Sequence, residues 1–321
     1  MASIVYEEGT YDCKPGESVL DCLTRHGVLL PSSCRNGVCQ TCMMHAVSGH
    51  IPEQAQEGLK DTLKVQGYFL ACICRPVHDM EIRQANVESL RHRATVSGME
   101  RMNASVMCLR LRPTKPVDYQ AGQFINLIHE DAVRSYSLAS LPNKDELELH
   151  VRHVPEGRVS SWVHRQLRLN DSVEFHGPAG DCFYVPGRPE QPLLLIGTGT
   201  GLAPLYGILR DAIDHGHTAE IHLFHGSLHR DGLYLVEALQ HIATMYDNVH
   251  YIPCVLHGEA PTGGAVGAID EVVMRALPDL AGWRSYLCGD PEIVRRLQSR
   301  IFLAGASTQE IHADAFTFTP H

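Results

Sequence analysis

The stretch Cys34-Arg35-Asn36-Gly37-Val38-Cys39-Gln40-Thr41-Cys42 sets three thiols at the spacing C-x4-C-x2-C, and Cys72 answers it farther along, with Cys74 as a rival. Thiols at that spacing, completed by a distant fourth, suit a 2Fe-2S cluster. One loop has to wrap two irons and their bridging sulfides, so three ligands converge from it while a second segment closes the far side. Gly37 and the small Thr41 let the backbone pass close to the inorganic sulfides. A zinc site and a group of buried free thiols are the competing readings. Zinc sites usually pair their cysteines as two separate short clips, and buried thiols have no reason to gather in one polar loop.

The chain has 321 residues, 44% of them hydrophobic and 20% charged, which leaves room for two or three ordinary globular cores. Its opening, Met1-Ala2-Ser3-Ile4-Val5-Tyr6-Glu7-Glu8, lacks the basic and apolar regions of a signal peptide. No run approaches the roughly 18 apolar residues of a membrane span, so the expected location is cytoplasmic. Eleven cysteines, an odd number, argue for metal ligands and free thiols over a disulfide framework. Cys13, Cys22, Cys74, Cys108, Cys182 and Cys254 read as small core residues. Residues 187 to 321 hold 8 basic and 15 acidic side chains and no lysine. With a net charge of -10 and no basic stripe, neither nucleic acid nor a membrane is expected as partner.

Residues 2 to 14 read as two short strands around Glu7-Glu8-Gly9, and Ser18 to His26 as a helix with Val19, Leu20 and Leu23 inward. With the thiol loop and the later Phe69-Leu70-Ala71-Cys72-Ile73-Cys74-Arg75-Pro76, this resembles the ferredoxin domain of a known reductase family. Those are the NAD(P)H-dependent reductases that serve bacterial ring-hydroxylating dioxygenases and multicomponent monooxygenases. The resemblance implies a β-grasp fold for residues 1 to 84. In the family the fourth ligand lies four residues before a proline, which selects Cys72 over Cys74 and implies Cys34, Cys39, Cys42 and Cys72 as the ligand set. Gln40 departs from the pattern, since a glycine is common there; a side chain at that point is expected to alter hydrogen bonding at the cluster.

Residues 84 to 91 read as a polar junction. Between 90 and 187, strands at Thr95 to Met99, Val106 to Leu111, Phe124 to Ile128 and Leu147 to Val154 suggest a small antiparallel barrel. Within it stands Arg134-Ser135-Tyr136-Ser137, which resembles the R-x-Y-S motif of ferredoxin reductase-like flavin domains. A permanent planar cation can clamp a pyrophosphate, a tyrosine can lie against an isoalloxazine face, and a serine hydroxyl can sit near the reactive nitrogen. Gly122-Gln123-Phe124 precedes the motif, and His150-Val151-Arg152 and Gly157-Arg158-Val159-Ser160-Ser161 follow it, as in the family. The last segment opens a helix whose N-H groups would meet the pyrophosphate. The resemblance implies FAD held by Arg134, Tyr136, Ser137, His150, Val151, Gly157, Val159 and Ser160.

From 190 to 321 the pattern turns to α/β. Leu193-Leu194-Leu195-Ile196 is the all-apolar run of a strand buried on both faces. It leads into Gly197-Thr198-Gly199-Thr200-Gly201-Leu202-Ala203-Pro204 and a helix expected over Leu205 to Ile213. Further strands at Glu220 to Phe224, Val249 to Val255, Ser285 to Leu287 and Ile311 to Ala313 imply a doubly wound parallel sheet with its ligand at the carboxyl ends. Cys288-Gly289-Asp290-Pro291 resembles the family's C-G-x-P segment, beside nicotinamide. Thr198, Gly199, Thr200 and Gly201 would hold the dinucleotide, with Gly226, Ser227 and Arg230 near its adenosine ribose. Relatives often carry an arginine where Leu228 stands; that and the acidic excess favour NADH over NADPH. Among twenty histidines, His215, His217, His222, His225 and His229 form a tempting group, but alternation sends His222 and His225 to opposite faces. They read as solvated or hydrogen-bonded side chains.

Fold class is therefore expected as multi-domain α+β and α/β: a β-grasp ferredoxin domain, an antiparallel β-barrel flavin domain and a doubly wound nucleotide domain. The resemblance implies an iron-sulfur flavoprotein reductase in which NAD(P)H passes a hydride to FAD, with Tyr136, Ser137 and Cys288 at the reacting atoms. Electrons would leave singly through the cluster to an acceptor protein, an oxygenase component or a ferredoxin. Cofactors carry that chemistry, which accounts for the lack of an acid/base pair or nucleophile motif. Two other readings are an electron donor to a deoxysugar dehydratase or desaturase, and a redox-sensing module.

Overall fold

The structure, a computed structural model, describes residues 2–59, 64, 67–84, 91–180 and 182–316. Its first sheet runs in the order Gly9–Asp12, Ser3–Tyr6, Met80–Gln84, Met43–Ser48, Tyr68–Leu70. Ser3–Tyr6 and Met80–Gln84 pair in parallel, and the remaining pairs are antiparallel. Helix Val19–Arg25 begins at Ser18, whose side chain accepts from the Asp21 amide, and it buries Val19, Leu20, Cys22 and Leu23. That face closes over Ile4, Met44, Phe69 and Ile82, giving the β-grasp core. Most of the junction anticipated at 84 to 91 lies outside the described residues.

The second sheet is antiparallel throughout, in the order Leu147–Arg152, Val106–Pro113, Arg91–Arg101, Ser172–Ala179, Phe124–His129, Ala132–Ser137. An antiparallel bridge from Leu138 to Leu149 joins the last strand to the first and closes the barrel. Leu109, Leu111, Ile125, Leu127, Leu149 and Phe175 fill it; each contributes about 1.5–3 kcal/mol by leaving water. The strand expected to reach Val154 stops at Arg152, because the chain must turn at Pro155 to start helix Arg158–Arg165.

The third sheet is wholly parallel: Ala265–Val266, Val249–Val255, Ile221–Ser227, Leu193–Thr198, Arg284–Gly289, Ile311–Ala315. Leu193 and Leu195 pack into the core on one face while Leu194 and Ile196 pack on the other, which is why the run is apolar without alternation. From the central strand Leu193–Thr198 the chain builds outward on one side, then crosses to Arg284–Gly289 on the other. The crevice of such a sheet opens at the carboxyl ends of those two strands. Helix Leu202–Asp214 starts earlier than expected, after a short turn at Gly199–Gly201. Pro204 fits inside its first turn because no N-H there has an intrahelical acceptor. Among the described residues no helix is long and apolar enough to cross a membrane.

Candidate cluster, flavin and nucleotide site

The thiol loop turns through left-handed backbone at Arg35, Gly37 and Gln40, with φ of 55°, 84° and 56°. Its sulfurs gather in two pairs, Cys34 with Cys39 and Cys42 with Cys72. The Cys39 amide donates to Cys34 Sγ at 3.3 Å and the Cys34 amide to Cys39 Sγ at 3.4 Å. Hydrogen bonds from the Cys39 thiol and from the amides of Asn36, Cys39 and Val38 hold the Cys34 thiol below its ordinary range. The Cys72 thiol is likewise lowered, chiefly by Cys42, with help from the Gly37 amide. In each pair the shared hydrogen raises the partner thiol, Cys39 or Cys42, while all four sulfurs receive backbone N-H groups, a donor set that fits a 2Fe-2S cluster. Cys74 is fully buried, and burial alone pushes its thiol up to about 12, with no paired thiol or amide donor among the described residues acting against it. The Gln40 side-chain amide donates to Gly58 O at 3.1 Å, and its backbone is left-handed, a conformation that a glycine would adopt without strain.

Cys34, Val38 and Cys39 also form one wall of a cavity of about 720 Å3, a volume suited to a cofactor. The barrel supplies Arg134, Tyr136 and Ser137 along its last strand, and the start of helix Arg158–Arg165 supplies Gly157 and Ser160. Gly157 caps that helix without a side chain; a Cβ there would lie 2.6 Å from Ser160 Oγ and 3.1 Å from Val154 O, so a side chain would crowd the amide cradle. Arg134 is anchored through Nη1 to Val133 O at 2.8 Å. Burial raises the Tyr136 hydroxyl, which stays protonated and available for packing and hydrogen bonding. This cradle, with a fixed cation and open amides, fits a flavin dinucleotide. His150 lines the cavity, but its ring nitrogens meet Tyr234 OH at 3.1 Å and Glu148 Oε1 at 3.0 Å. Val159 lines the cavity from its place at the edge of the barrel core, and Val151, also in that core, supports the wall from behind.

The nucleotide sheet closes the cavity with Thr200, Ala203, Asp314 and Phe316. Ser137 Oγ donates to Asp314 Oδ2 at 3.2 Å, tying the flavin strand to the last strand of the parallel sheet. Asp314 and Phe316 escaped the sequence reading, although their place at and just past a strand's carboxyl end follows from the crevice rule. Asn126 also escaped it: Ser135 Oγ donates to Asn126 Oδ1 at 2.7 Å, and Asn126 Nδ2 donates to Cys39 O at 2.8 Å.

Behind the cavity, a Cβ on Gly201 would lie 2.2 Å from Cys288 O, and one on Gly289 would lie 2.5 Å from Thr198 Oγ1. The two turns at the crevice therefore pack backbone on backbone. Thr198 Oγ1 accepts from the Asp290 amide at 3.1 Å, and Asp290 caps helix Pro291–Leu303 through the amides of Glu292 and Ile293. Cys288 is buried with Sγ 3.7 Å from Cys182 Sγ, and burial raises its thiol well above the ordinary value. A thiol so held is inert as a nucleophile. Gly226 pairs with Thr198 one strand over, Ser227 ends that strand, and Arg230 lies exposed just beyond.

A thiol loop, a flavin cradle and a dinucleotide crevice around one cavity define an electron-transferring reductase. Residues 5–77 match the 2Fe-2S iron-sulfur cluster binding domain, 93–184 the oxidoreductase FAD-binding domain and 195–299 the oxidoreductase NAD-binding domain. The chain is 33% identical over 313 residues to the ferredoxin-NAD(P)+ reductase component of the naphthalene 1,2-dioxygenase/salicylate 5-hydroxylase systems of Ralstonia sp, covering 95% of each chain. It is 33% identical over 321 residues to the reductase subunit of an aromatic O-demethylase from Amycolatopsis sp., covering 95% of this chain and 96% of that one. The crystal structure of the Amycolatopsis cytochrome P450 reductase GcoB superposes with a TM-score of 0.71 at 30% identity, over 98% of this chain and 99% of that one. The chain belongs to this family of NAD(P)H-dependent iron-sulfur flavoprotein reductases. Bound FAD supplies hydride acceptance from NAD(P)H, and the 2Fe-2S cluster supplies one-electron delivery.

Proposed function

We propose that this reductase delivers electrons to the oxygenase component of a multicomponent dioxygenase or monooxygenase, directly or through a ferredoxin, with NADH as preferred donor. The observation that carries the reading is the single cavity walled by Cys34 and Cys39, by Arg134 and Tyr136, and by Asp314 and Phe316. It keeps the flavin site within contact of both the thiol loop and the nucleotide crevice. The named oxygenase systems of the relatives support the choice of acceptor. In this reading residues 1–84, 90–187 and 190–321 are the three working units, in the cytoplasm. Cys34, Cys39, Cys42 and Cys72 hold the cluster. Arg134 clamps the pyrophosphate over the Gly157 and Ser160 amides, Tyr136 and Ser137 border the flavin ring, and Cys288 shapes the nicotinamide pocket from behind.

The donor preference rests on the exposed Leu228 where an arginine would bind a 2'-phosphate, and on the lysine-free last third. Specificity constants for NADH and NADPH, measured with a one-electron dye for the parent and Arg230→Ala, test it. A parent that prefers NADPH tenfold, and loses that preference in the variant, would reverse the assignment. Product formation with a terminal oxygenase encoded beside this chain tests the acceptor, and turnover of a few per minute or less with every acceptor would instead mark a redox sensor.

A further inference from the structure

We propose a divalent-metal site for a borderline d-block ion, Zn2+ foremost, built by Glu220, His222 and His250 at the amino ends of the parallel strands. This is the end of the sheet opposite the dinucleotide crevice. His222 and His250 are direct partners in the parallel register of Ile221–Ser227 and Val249–Val255, and Glu220 immediately precedes the first of these strands. One ligand atom from each residue lies within 4.8 Å of the other two. His222 Nε2 and Glu220 Oε2 are already 3.3 Å apart. Around a tetrahedral ion with bonds of about 2.0–2.2 Å, neighbouring ligand atoms stand roughly 3.3–3.5 Å apart. The two rings have centroids 4.5 Å apart and are tilted by 46°, so they do not stack, and Trp283 packs edge-on against His222 at 5.5 Å. A ring held in this way has one preferred orientation for its ligating nitrogen.

Two imidazoles and a carboxylate are a donor set that suits Zn2+, and three protein ligands leave a fourth position for water. The His222 side chain is 18% exposed and that of Glu220 62%, giving a site anchored in the sheet and open to solvent on one side. The other two groups of this kind are occupied by cations or by existing bonds. Cys13, Glu17 and Cys22 lie beside Arg25, whose Nε binds Glu17 at 2.8 Å. In Cys108, Glu148 and His150 the imidazole is engaged by Glu148 and Tyr234, and Arg110 stands 3.9 Å from Glu148. The third group has no arginine on its ligands among the contacts seen, and local spacing hides it because His250 arrives by register from the next strand. An ion there staples two strands far from the crevice, so it stabilises the nucleotide unit and leaves hydride transfer unchanged.

The test uses untagged, chelator-washed holoprotein titrated with zinc chloride against a chromophoric chelator, with cluster and flavin absorption followed throughout. The parent should bind one zinc ion that is weakened about tenfold or more in His222→Ala and in His250→Ala. Glu220→Gln, at an exposed position that folding does not need, should weaken it as well, and His229→Ala should keep it. Saturating zinc should raise the thermal midpoint of the parent and leave that of His222→Ala where it was. Equal zinc binding by the parent, His222→Ala and His250→Ala, or loss of the ion in His229→Ala, would overturn the site and leave an ordinary Glu220–His222 hydrogen bond.

Discussion

Across the seam between the barrel and the nucleotide unit, His150 meets Tyr234 at 3.1 Å, Asn103 Nδ2 donates to Gly232 O at 3.1 Å, Ser137 meets Asp314 at 3.2 Å, and Arg210 reaches Ala139 O. Across the seam between the barrel and the iron-sulfur unit, the side-chain hydrogen bond seen among the described residues is Asn126 to Cys39 O. Each such bond contributes about 0.5–1.5 kcal/mol net. The contrast follows the chemistry. Hydride transfer needs nicotinamide and flavin held at a fixed approach, so that seam is closely packed and bonded at several places. Electrons that must leave for another protein need only a contact that can be made and broken.

The largest expected effect lies in the lightly held unit. Cys72→Ser should abolish the cluster while FAD stays bound, and Cys74→Ser should keep both, as read by iron content and visible absorption. Loss of iron in the Cys74 variant alone would exchange the two assignments. Next comes the closely packed seam itself. A Cβ on Gly122, where φ is +100°, would lie 2.5 Å from Cys182 O and 2.9 Å from Ile208 Cγ1. Overpacking costs about 1–3 kcal/mol and left-handed backbone about 1–2, so Gly122→Ala should lower the stability of the folded state by roughly 2–5 kcal/mol. A loss below about 0.5 kcal/mol in a denaturant titration would show that this seam yields as readily as the other.

Arg134→Ala should weaken FAD retention by about 1.5–3 kcal/mol, or roughly ten- to a hundredfold, by removing a charge-assisted contact to the pyrophosphate. Flavin occupancy after dilution and gel filtration reads it directly, and unchanged occupancy would move the clamp elsewhere in the cavity. Because Arg134 stands on the strand that both seams border, its loss should not alter cluster content.

What could be read from the chain beforehand was whatever a local rule dictates. Leu193-Leu194-Leu195-Ile196 is apolar because both faces of its strand are covered, and the thiol spacing is fixed by the wrapping of two irons within one loop. Strands such as Ser172–Ala179 were missed because only Val173 and Phe175 mark the buried face before Gly177-Pro178 breaks the alternation. The contacts that join the units were hidden for another reason. His250 reaches His222, Cys182 reaches Cys288 and Asp314 reaches Ser137 only once distant segments pair, and no residue type announces a backbone acceptor such as Cys39 O.

The smallest expected effect tests that last contact. Asn126 is almost wholly buried, accepts from Ser135 and donates to Cys39 O, so it ties the flavin strand to the loop that carries the thiols of Cys34, Cys39 and Cys42. Asn126→Ala leaves the carbonyl unmet only while the iron-sulfur unit is docked, since water satisfies it otherwise. The docked state therefore loses more stability than the undocked one, by about 1–2 kcal/mol, which shifts the docking equilibrium roughly five- to thirtyfold. Hydrogen exchange at the amides of Asn36 to Thr41 and along Phe124–His129 should quicken together by that factor, with the global unfolding midpoint nearly unchanged. If instead the midpoint falls and exchange quickens throughout the barrel, Asn126 is a structural member of the barrel core, and the iron-sulfur unit is held by contacts other than this one.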